Sequence, residues 1–214
     1  NGGLLAIGSY LDTAVTNGTT YYYVVTAENT ATQESGYSSE ANATPYSVLV
    51  AAATADAYVD EKRGTTNYGA DTVLGVKSKS SQAQRSFVQF DVSSIPGGST
   101  ISSATLTLCA TSVPAATRTY EVYQVTAGWV EGSVTWNSQP AVAASATASA
   151  STPASAGCMT WTVTADVQAW VDGTANNGWR ISDSVETNNA TATFRSREDG
   201  AVPAEQPKLD IQYS

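Results

Sequence analysis

The chain contains no histidine, so neither a Ser-His-Asp triad nor a histidine-bearing zinc site is available to it. It has only 10 Lys and Arg residues against 19 Asp and Glu residues, and a net charge of −9 disfavours nucleic acids and anionic membranes as partners. No apolar run approaches the roughly 20 residues that a membrane-spanning helix needs. We therefore expect no nucleic-acid partner, no membrane insertion and no enzymatic activity.

Two cysteines are present, and each lies in an alternating segment, Cys109 in residues 104–109 and Cys158 in residues 158–163. In both segments the apolar residues have the opposite parity to the cysteine, so we expect both thiols on the polar faces of their strands. Because free thiols are uncommon in an oxidising environment, this pattern predicts a surface disulfide between neighbouring strands and an extracellular, secreted or cell-surface protein. The alternative is two unrelated thiols in a reduced protein.

The composition of the chain changes near Pro45. Residues 1–46 contain four acidic residues and neither Lys nor Arg, whereas all ten basic residues lie in the remaining 168 residues. This shift predicts two domains, residues 1–46 and residues 47–214. Within the first we expect an aromatic and β-branched strand over residues 19–26 and a second strand over residues 38–44.

The N-terminal stretch resembles the second half of a fibronectin type III domain. Residues 15–21 correspond to the tyrosine corner of that family, and residues 38–45 correspond to its last strand. The resemblance implies a partial β-sandwich, and half a sandwich leaves an apolar face and strand edges uncovered. We therefore expect either that the chain is a piece of a longer protein or that a second chain donates the missing strands.

From residue 48 onward the pattern of apolar residues alternates with period two, which predicts an all-β fold, a jelly-roll-like antiparallel β-sandwich. One short helix is expected where Thr164 caps a stripe of Val167, Trp170 and Val171 that ends at Gly173. The Ala- and Ser-rich residues 140–157 are expected to form a surface loop. The predicted strands are residues 48–53, 57–60, 72–76, 86–91, 104–110, 119–126, 134–136, 159–163, 178–182, 191–196 and 208–213.

Several phrases in this larger part are similar to the DNRLRE domain family, a group of secreted β-sandwiches related to carbohydrate-binding modules that accompany alginate lyases. Residues 136–140 read Trp-Asn-Ser-Gln-Pro and residues 194–198 read Phe-Arg-Ser-Arg-Glu. Further matching phrases lie at residues 55–59, 66–69, 87–96, 167–170, 176–178 and 207–209. The resemblance implies a non-catalytic extracellular module that binds polysaccharide or builds a cell-surface protein. The chain departs from the family at the name-giving motif, because Ser196 stands where Leu is implied and the preceding Asp-Asn is absent.

Acidic and amide side chains cluster in two turn-rich segments of the larger part. A hard cation such as calcium takes six to eight oxygen ligands, and such segments supply carboxylates and carbonyls. We therefore predict a structural calcium site, although a solvated acidic loop explains the same composition. The candidate ligands are Asp56, Asp60, Asn67, Asp71, Glu198 and Asp199.

A polysaccharide site needs aromatic rings that stack on sugars, and acidic sugars need Arg or Lys beside their carboxylates. Lys77, Lys79 and Arg85 lie near the ends of two predicted strands and converge if those strands are neighbours. Arg195 and Arg197 share one face of a later strand. An internal ion pair between Arg197 and Glu198 is the competing interpretation. The candidate ligand-binding residues are Lys77, Lys79, Arg85, Trp129, Trp179, Arg195 and Arg197.

Two hypotheses about function follow from these observations. The first is a non-catalytic extracellular module that binds polysaccharide at the cell surface or beside an enzyme, with acidic polysaccharides among the candidate ligands. The second is a structural subunit of a surface stalk or filament, in which a neighbouring chain completes the sandwich of residues 1–46. A filament subunit is expected to hold a second polypeptide, whereas a binding module is expected to expose a cationic or aromatic groove.

Overall fold

A computed structural model describes Leu5 and residues 8–214 of the chain. The chain divides into two compact units, Asn1–Ser47 with Tyr213–Ser214, and Val48–Gln212. The strand bounds are β1 Tyr21–Tyr23, β2 Ala41–Ala43, β3 Ser47–Asp60, β4 Val73–Ser78, β5 Gln84–Phe90, β6 Ile101–Ser112, β7 Thr119–Gln124, β8 Ala148–Ser151, β9 Gly157–Thr162, β10 Trp179–Asp183, β11 Ala190–Arg195 and β12 Lys208–Tyr213. An α-helix, α1, spans Thr164–Val171, and short 3-10 helices span Glu61–Arg63, Trp136–Ser138 and Pro203–Glu205.

The smaller unit contains one antiparallel ladder, in which β1 pairs with β2 and Tyr22 lies opposite Asn42. The hydroxyl of Tyr21 accepts a hydrogen bond from the Thr16 N–H at 2.9 Å, a contact of the kind that a tyrosine corner makes. Tyr22 remains 63% exposed. Residues 1–4 and 6–7 of the predicted half-sandwich lie outside the described residues, and the fibronectin type III assignment of residues 1–46 stays a prediction.

The larger unit is all-β with one helix, as the alternation predicts, and its sheet closes on itself. The strands are hydrogen-bonded in the order β3-β12-β6-β11-β4-β5-β10-β7-β8, and β9 adds to β6. The long strand β3 also pairs with β5, which closes the sheet into a barrel-like sandwich. No helix within the described part of the chain is long and apolar enough to span a membrane.

Strand β5 has buried residues on both of its faces. Val88 and Phe90 point to one face and Phe87 to the other, and all three are almost fully inaccessible. Phe87 packs in a second cluster, where the segment that follows β7 places Val125 and Val134 over it. Trp129 and Trp136 from the same segment pack against this cluster. We call residues 126–142 the covering segment.

The sequence correctly predicted the helix but not its cap. Helix α1 begins at Thr164 with Val163 in the N-cap position, where no side chain caps it. The Thr164 hydroxyl instead accepts the Ala104 N–H at 2.9 Å, which ties the helix to β6. Val167 and Trp170 are buried, as the stripe predicts.

Three predictions differ from the structure: the division of β3 into two strands, the strand at residues 134–136 and the loop at residues 140–157. Residues 48–53 and 57–60 belong to the single strand β3, whose two halves pair with different neighbours. The predicted strand 134–136 runs instead into the 3-10 helix Trp136–Ser138, because this segment covers the sheet and does not pair within it. The supposed loop 140–157 contains β8, in which Ser151 pairs with Thr119. Small side chains do not prevent backbone pairing when a neighbouring strand supplies the partner.

The predicted disulfide is confirmed, since Cys109 of β6 and Cys158 of β9 are joined and lie directly opposite each other. The expectation that both sulfurs lie on a polar surface was wrong for Cys109, which is only 3% exposed, whereas Cys158 is exposed. Strand β6 is covered on both faces along this stretch, so alternation does not report exposure there.

Loss of the disulfide should destabilise the larger unit strongly. The bridge closes a separation of 49 residues, and the chain-entropy relation gives about 4 kcal/mol for such a loop. A Cys109→Ala/Cys158→Ala double variant should therefore melt about 8–16 °C lower than the oxidised parent. Calorimetry of both proteins, with and without reductant, measures this difference. A reductant-sensitive double variant, or equal melting temperatures, would contradict the interpretation.

Candidate functional site

Three carboxylates lie close together near the start of the covering segment. Asp56 of β3, Glu131 of the covering segment and Glu198 after β11 each place an oxygen within 4.8 Å of the others. Asp56 is 1% exposed and accepts the Arg197 N–H at 2.8 Å. Glu131 accepts the Asp56 N–H at 2.8 Å, so this side chain joins the covering segment to β3. We call Asp56, Glu131 and Glu198 the carboxylate triad.

Arg197 provides the positive charge of this cluster. Its guanidinium binds both oxygens of Glu131 at 2.7 Å and contacts Glu198 at 3.0 Å. These bonds outweigh burial and lower the pKa of Glu131. The structure therefore contains the internal Arg197–Glu198 ion pair of the competing interpretation, and Glu131 is a second ion-pair partner of Arg197.

The pKa of Asp56 is strongly shifted. Burial raises its pKa to about 8; the bond from the Arg197 N–H opposes the rise and the nearby charges of Glu198 and Glu131 add to it. One oxygen of Glu198, Oε2, is buried and has no hydrogen-bond partner within Leu5 and residues 8–214. Three acids and one guanidinium therefore share a site that favours one bound proton or a cation.

The other predicted metal ligands are occupied elsewhere. Asp60 accepts the Lys62 N–H at 2.8 Å and thereby caps the 3-10 helix Glu61–Arg63, and Asp71 accepts the Tyr58 hydroxyl at 3.2 Å. Asp199 pairs with Arg195 across one turn. The predicted grouping of these three acids with Asp56 and Glu198 is therefore not what the fold produces.

The side chain of Asn67, a predicted metal ligand, binds two backbone carbonyls of the covering segment. Its amide donates to the Glu131 carbonyl and to the Val134 carbonyl, both at 2.7 Å. Gly69 lies against the Glu131 carbonyl so closely that a Cβ there would be 2.3 Å from the oxygen. Glu131 itself was missed by sequence reasoning, because it lies 75 residues from Asp56 in a segment that carries no recognisable ligand spacing.

The strands of Lys77 and Arg85 are neighbours, as their predicted convergence requires, but Lys77 lies directly opposite Gln84, so alternation places Arg85 on the other face of the sheet. On the β4–β11 ladder Lys77 lies opposite Thr191 and Arg195 lies opposite Val73, so Lys77 and Arg195 are at opposite ends, about 13 Å apart at 3.3 Å per residue. Lys77 donates to Gln82 at 3.4 Å, and Lys79 follows it at the end of the strand.

Arg195 and Arg197 are both neutralised by neighbouring acids. Arg195 binds Asp199 and Glu205, with the Glu205 contact at 2.7 Å, and Arg197 binds the triad. Their positive charge is thus used within the protein, which argues against the predicted ligand role of either residue. Strand β11 ends at Arg195, so Arg197 lies in the turn that follows it, and the acids that bind the two arginines come from this turn, from the 3-10 helix Pro203–Glu205 and from the covering segment.

The prediction that Trp179 stacks on a sugar was wrong. Trp179 is the first residue of β10, is completely buried, and donates its Nε1–H to Asp166 at 2.7 Å. The preceding Asn-Asn-Gly turn suggested a loop, but β10 begins directly after it, and the tryptophan side chain lies in the core. Trp129 is half-buried, packs on Phe87 and donates to the Asn177 carbonyl at 2.9 Å, so its role is chiefly to fasten the covering segment.

Arg85 is the one predicted cation that lies beside an aromatic ring. Its guanidinium lies 4.4 Å from the centroid of the Trp136 ring. It also binds both oxygens of Glu186 at 2.7 Å and donates to the Gln139 side chain at 2.9 Å. The ring and the carboxylate hold this guanidinium in one orientation.

A second arginine, Arg180 of β10, lies on the same face. It is directly opposite Phe87 of β5 and Tyr123 of β7, and its guanidinium lies 4.5 Å from the Tyr123 ring centroid. Among the described residues it has no hydrogen-bond or ion-pair partner, and its Nε is buried. Burial, followed by the like charge of Arg85, lowers the pKa of the Arg180 guanidinium.

These side chains form a half-buried surface across β5, β10 and β7, edged by the covering segment. We call it the cationic-aromatic surface, and its members are Arg85, Tyr123, Trp136, Gln139, Arg180 and Glu186. Arg180 was missed by sequence reasoning, although one signal was present: Trp179 and Ile181 flank it, so alternation places it on the face opposite to theirs.

Comparison with known proteins gives one family. The sequence profile of carbohydrate-binding module family 96 matches residues 46–213. That range covers the larger unit and most of the chain. A search among curated proteins found no match.

The protonation of Asp56 should make stability depend on pH. Its pKa in the folded protein, about 8, lies above the value of 3.8 in an unconstrained chain, so the folded state binds the proton more tightly between these values. The free energy of unfolding should therefore fall as pH rises from about 4 to 8, by up to about 1.4 kcal/mol per pH unit from this group. Urea titrations between pH 5 and 8, with a chelator present, measure the slope.

An Asp56→Asn variant should flatten this slope, because an amide keeps an acceptor for the Arg197 N–H but does not titrate. An Asp210→Asn variant, which removes a half-exposed carboxylate of β12, should keep the parental slope. Parallel pH profiles for the parent and the Asp56 variant would show that another group controls the dependence.

Proposed function

The chain belongs to carbohydrate-binding module family 96, and from that premise we propose that it is a non-catalytic module that binds an acidic polysaccharide at the cationic-aromatic surface. The observation that carries the proposal is the Arg180 guanidinium, half-buried and without a polar partner in the described part of the chain. A half-buried guanidinium without a direct hydrogen-bond partner has lost part of its hydration, and a carboxylate that approaches in the plane of the fork supplies two charge-assisted hydrogen bonds.

The surroundings of Arg180 prepare it for such a ligand. Its lowered pKa arises first from burial and then from Arg85, so the site gains most from an added negative charge. The Tyr123 ring on one side keeps the guanidinium oriented, and the Trp136 ring does the same for Arg85. Both rings exclude water from the charged groups, which strengthens electrostatic attraction to a bound sugar acid.

Arg85 and Gln139 extend the surface beyond a single charge. Gln139 donates to the Trp136 carbonyl at 3.0 Å and accepts from Arg85, so its amide is held at the edge of the surface. Amide groups, ring faces and guanidinium forks are the groups that recognise hydroxyl and carboxylate substituents of a sugar chain. None of these side chains is needed to break a glycosidic bond in this proposal.

We place this activity outside the cell, as a secreted or cell-surface module of the DNRLRE type. The disulfide supports an oxidising compartment, and the family is named after carbohydrate binding. Residues 1–46 then serve as a fibronectin-like spacer. The hypothesis of a filament subunit completed by another chain rests on those residues alone and stays a prediction.

We further propose that the carboxylate triad holds a structural calcium ion. Three carboxylate oxygens within 4.8 Å of one another suit a hard cation, and the buried Oε2 of Glu198 lacks a partner in the described residues. Asp56 and Glu198 come from the predicted ligand set and Glu131 replaces the others. Calcium would displace the proton of Asp56, and turn carbonyls or water would complete its coordination.

Removal of the Arg180 charge should weaken polysaccharide binding. We expect Arg180→Gln to lower affinity about 10- to 100-fold, the value of one or two hydrogen bonds between charged groups. Affinity electrophoresis in gels that contain pectin, alginate or glucuronoxylan provides the readout, at two salt concentrations. Lys208→Gln, which removes an exposed cation of β12, is the matched control and should migrate like the parent.

Two results would contradict this proposal. One is a parent that none of the three acidic polysaccharides retards. The other is an Arg180 variant that is retarded as strongly as the parent in every gel that retards the parent.

Calcium should raise the melting temperature if the triad binds it. Binding to the folded state alone adds RT ln(1 + [L]/Kd) to stability, so calcium at about 100 times Kd adds about 2.7 kcal/mol, or several degrees. Glu198→Gln should abolish the calcium-dependent increment, whereas Asp199→Asn, next in sequence but paired with Arg195, should keep it. Identical melting curves in chelator and in excess calcium would contradict the proposal that the triad binds calcium.

A further inference from the structure

Two carboxylates lie on the same face as Arg180 and limit what the cationic-aromatic surface accepts. Glu121 of β7 is directly opposite Ser182 of β10, two residue pairs along from the Arg180–Tyr123 pair and therefore on the same face. Its Oε2 accepts the Tyr123 hydroxyl. Glu186 comes from the loop after β10 and binds Arg85 of β5 through both oxygens. Both acids lie near enough to Arg180 to act on its charge, although neither is hydrogen-bonded to it in the described part of the chain.

The charges of this face sum to zero, since Arg85 and Arg180 balance Glu121 and Glu186. Arg85 is already matched by Glu186 at 2.7 Å, and Glu121 is held by the neutral hydroxyl of Tyr123. One guanidinium is thus left for a ligand. After one carboxylate binds, the face carries one excess negative charge, on a chain whose net charge is already −9.

A second anionic group on the ligand would meet repulsion from Glu121 or Glu186. In a homopolymer of uronic acids every sugar carries a carboxylate, so the next negative charge is only one sugar away. Sugar hydroxyls, by contrast, are donors, and each carboxylate has lone pairs that accept them beyond the bond it already makes. The same acids that repel a second carboxylate bind the hydroxyls of a neutral neighbour.

We propose that this surface selects glycans in which one carboxylate is flanked by uncharged, hydroxyl-bearing sugars, and that Glu121 is the residue that sets this limit. The inference rests on the proposed function, because it requires Arg180 to bind the carboxylate. It adds a charge pattern to the ligand: sparsely charged chains are bound, and fully ionised or sulfated chains are rejected.

The test compares ligands that share a backbone and differ in charge. Hexamers of galacturonate and of mannuronate are each prepared fully ionised and with all carboxyl groups but one methyl-esterified. Calorimetric titration of the whole chain with the four hexamers gives the dissociation constants. We expect the singly charged hexamer of at least one pair to bind 10-fold more tightly than its fully ionised counterpart.

Glu121→Gln separates charge from shape, because an amide oxygen still accepts the Tyr123 hydroxyl. This variant should bind the fully ionised hexamer 3- to 10-fold more tightly than the parent does and should change binding of the singly charged hexamer less than 2-fold. Asp210→Asn, on a strand hydrogen-bonded to β3 and β6 and not to the surface strands, removes the same charge and should leave both constants unchanged.

The inference is overturned if fully ionised hexamers bind as tightly as singly charged ones in both pairs, if no hexamer binds, or if Glu121→Gln acts equally on both forms. The proposed function fails separately, through Arg180→Gln in the polysaccharide gels. Binding that depends on Arg180 but ignores charge density would keep the proposed function and remove only the selectivity.

Discussion

The ion pair between Arg197 and Glu131 is the contact on which both candidate sites depend. It joins the loop after β11 to the covering segment, and the same Glu131 oxygen accepts the Asp56 N–H. Three stretches of chain that are distant in sequence are thereby fixed to one another. Because the pair is bidentate and one partner is largely shielded from water, it holds a defined geometry where a single exposed salt bridge would not.

The covering segment then has two consequences for function. At its start Glu131 completes the carboxylate triad, and a few residues later Trp136 and Gln139 form the edge of the cationic-aromatic surface. Asn67 secures the stretch between them through two carbonyls. The triad and the sugar-facing surface are therefore neighbours along one segment. Protonation of Asp56 or a bound cation acts on the anchor of that segment.

Sequence reasoning reached the class of fold and several individual residues, and its errors have common causes. Alternation predicted most strands because one face of each is buried, but it misjudged the exposure of Cys109, because both faces of β6 are covered there. Asp56, Glu198 and Arg85 were correctly singled out by residue type. Arg180 was overlooked because a lone arginine beside Trp179 has no distinctive spacing, and Glu131 because its partner lies 75 residues away.

By itself, the sequence determined that this chain is an acidic all-β protein with a disulfide, without histidine chemistry, and with one short helix. Those properties follow from composition and from local periodicity, which act over a few residues. Only the tertiary structure decided which charges are matched and which are left for a ligand. Arg195 and Arg197 bind acids that other segments bring to them, whereas Arg180 lies beside the Tyr123 ring and has no direct ion-pair partner among the described residues. Charge pairing depends on distances between strands, and register and loop packing set those distances.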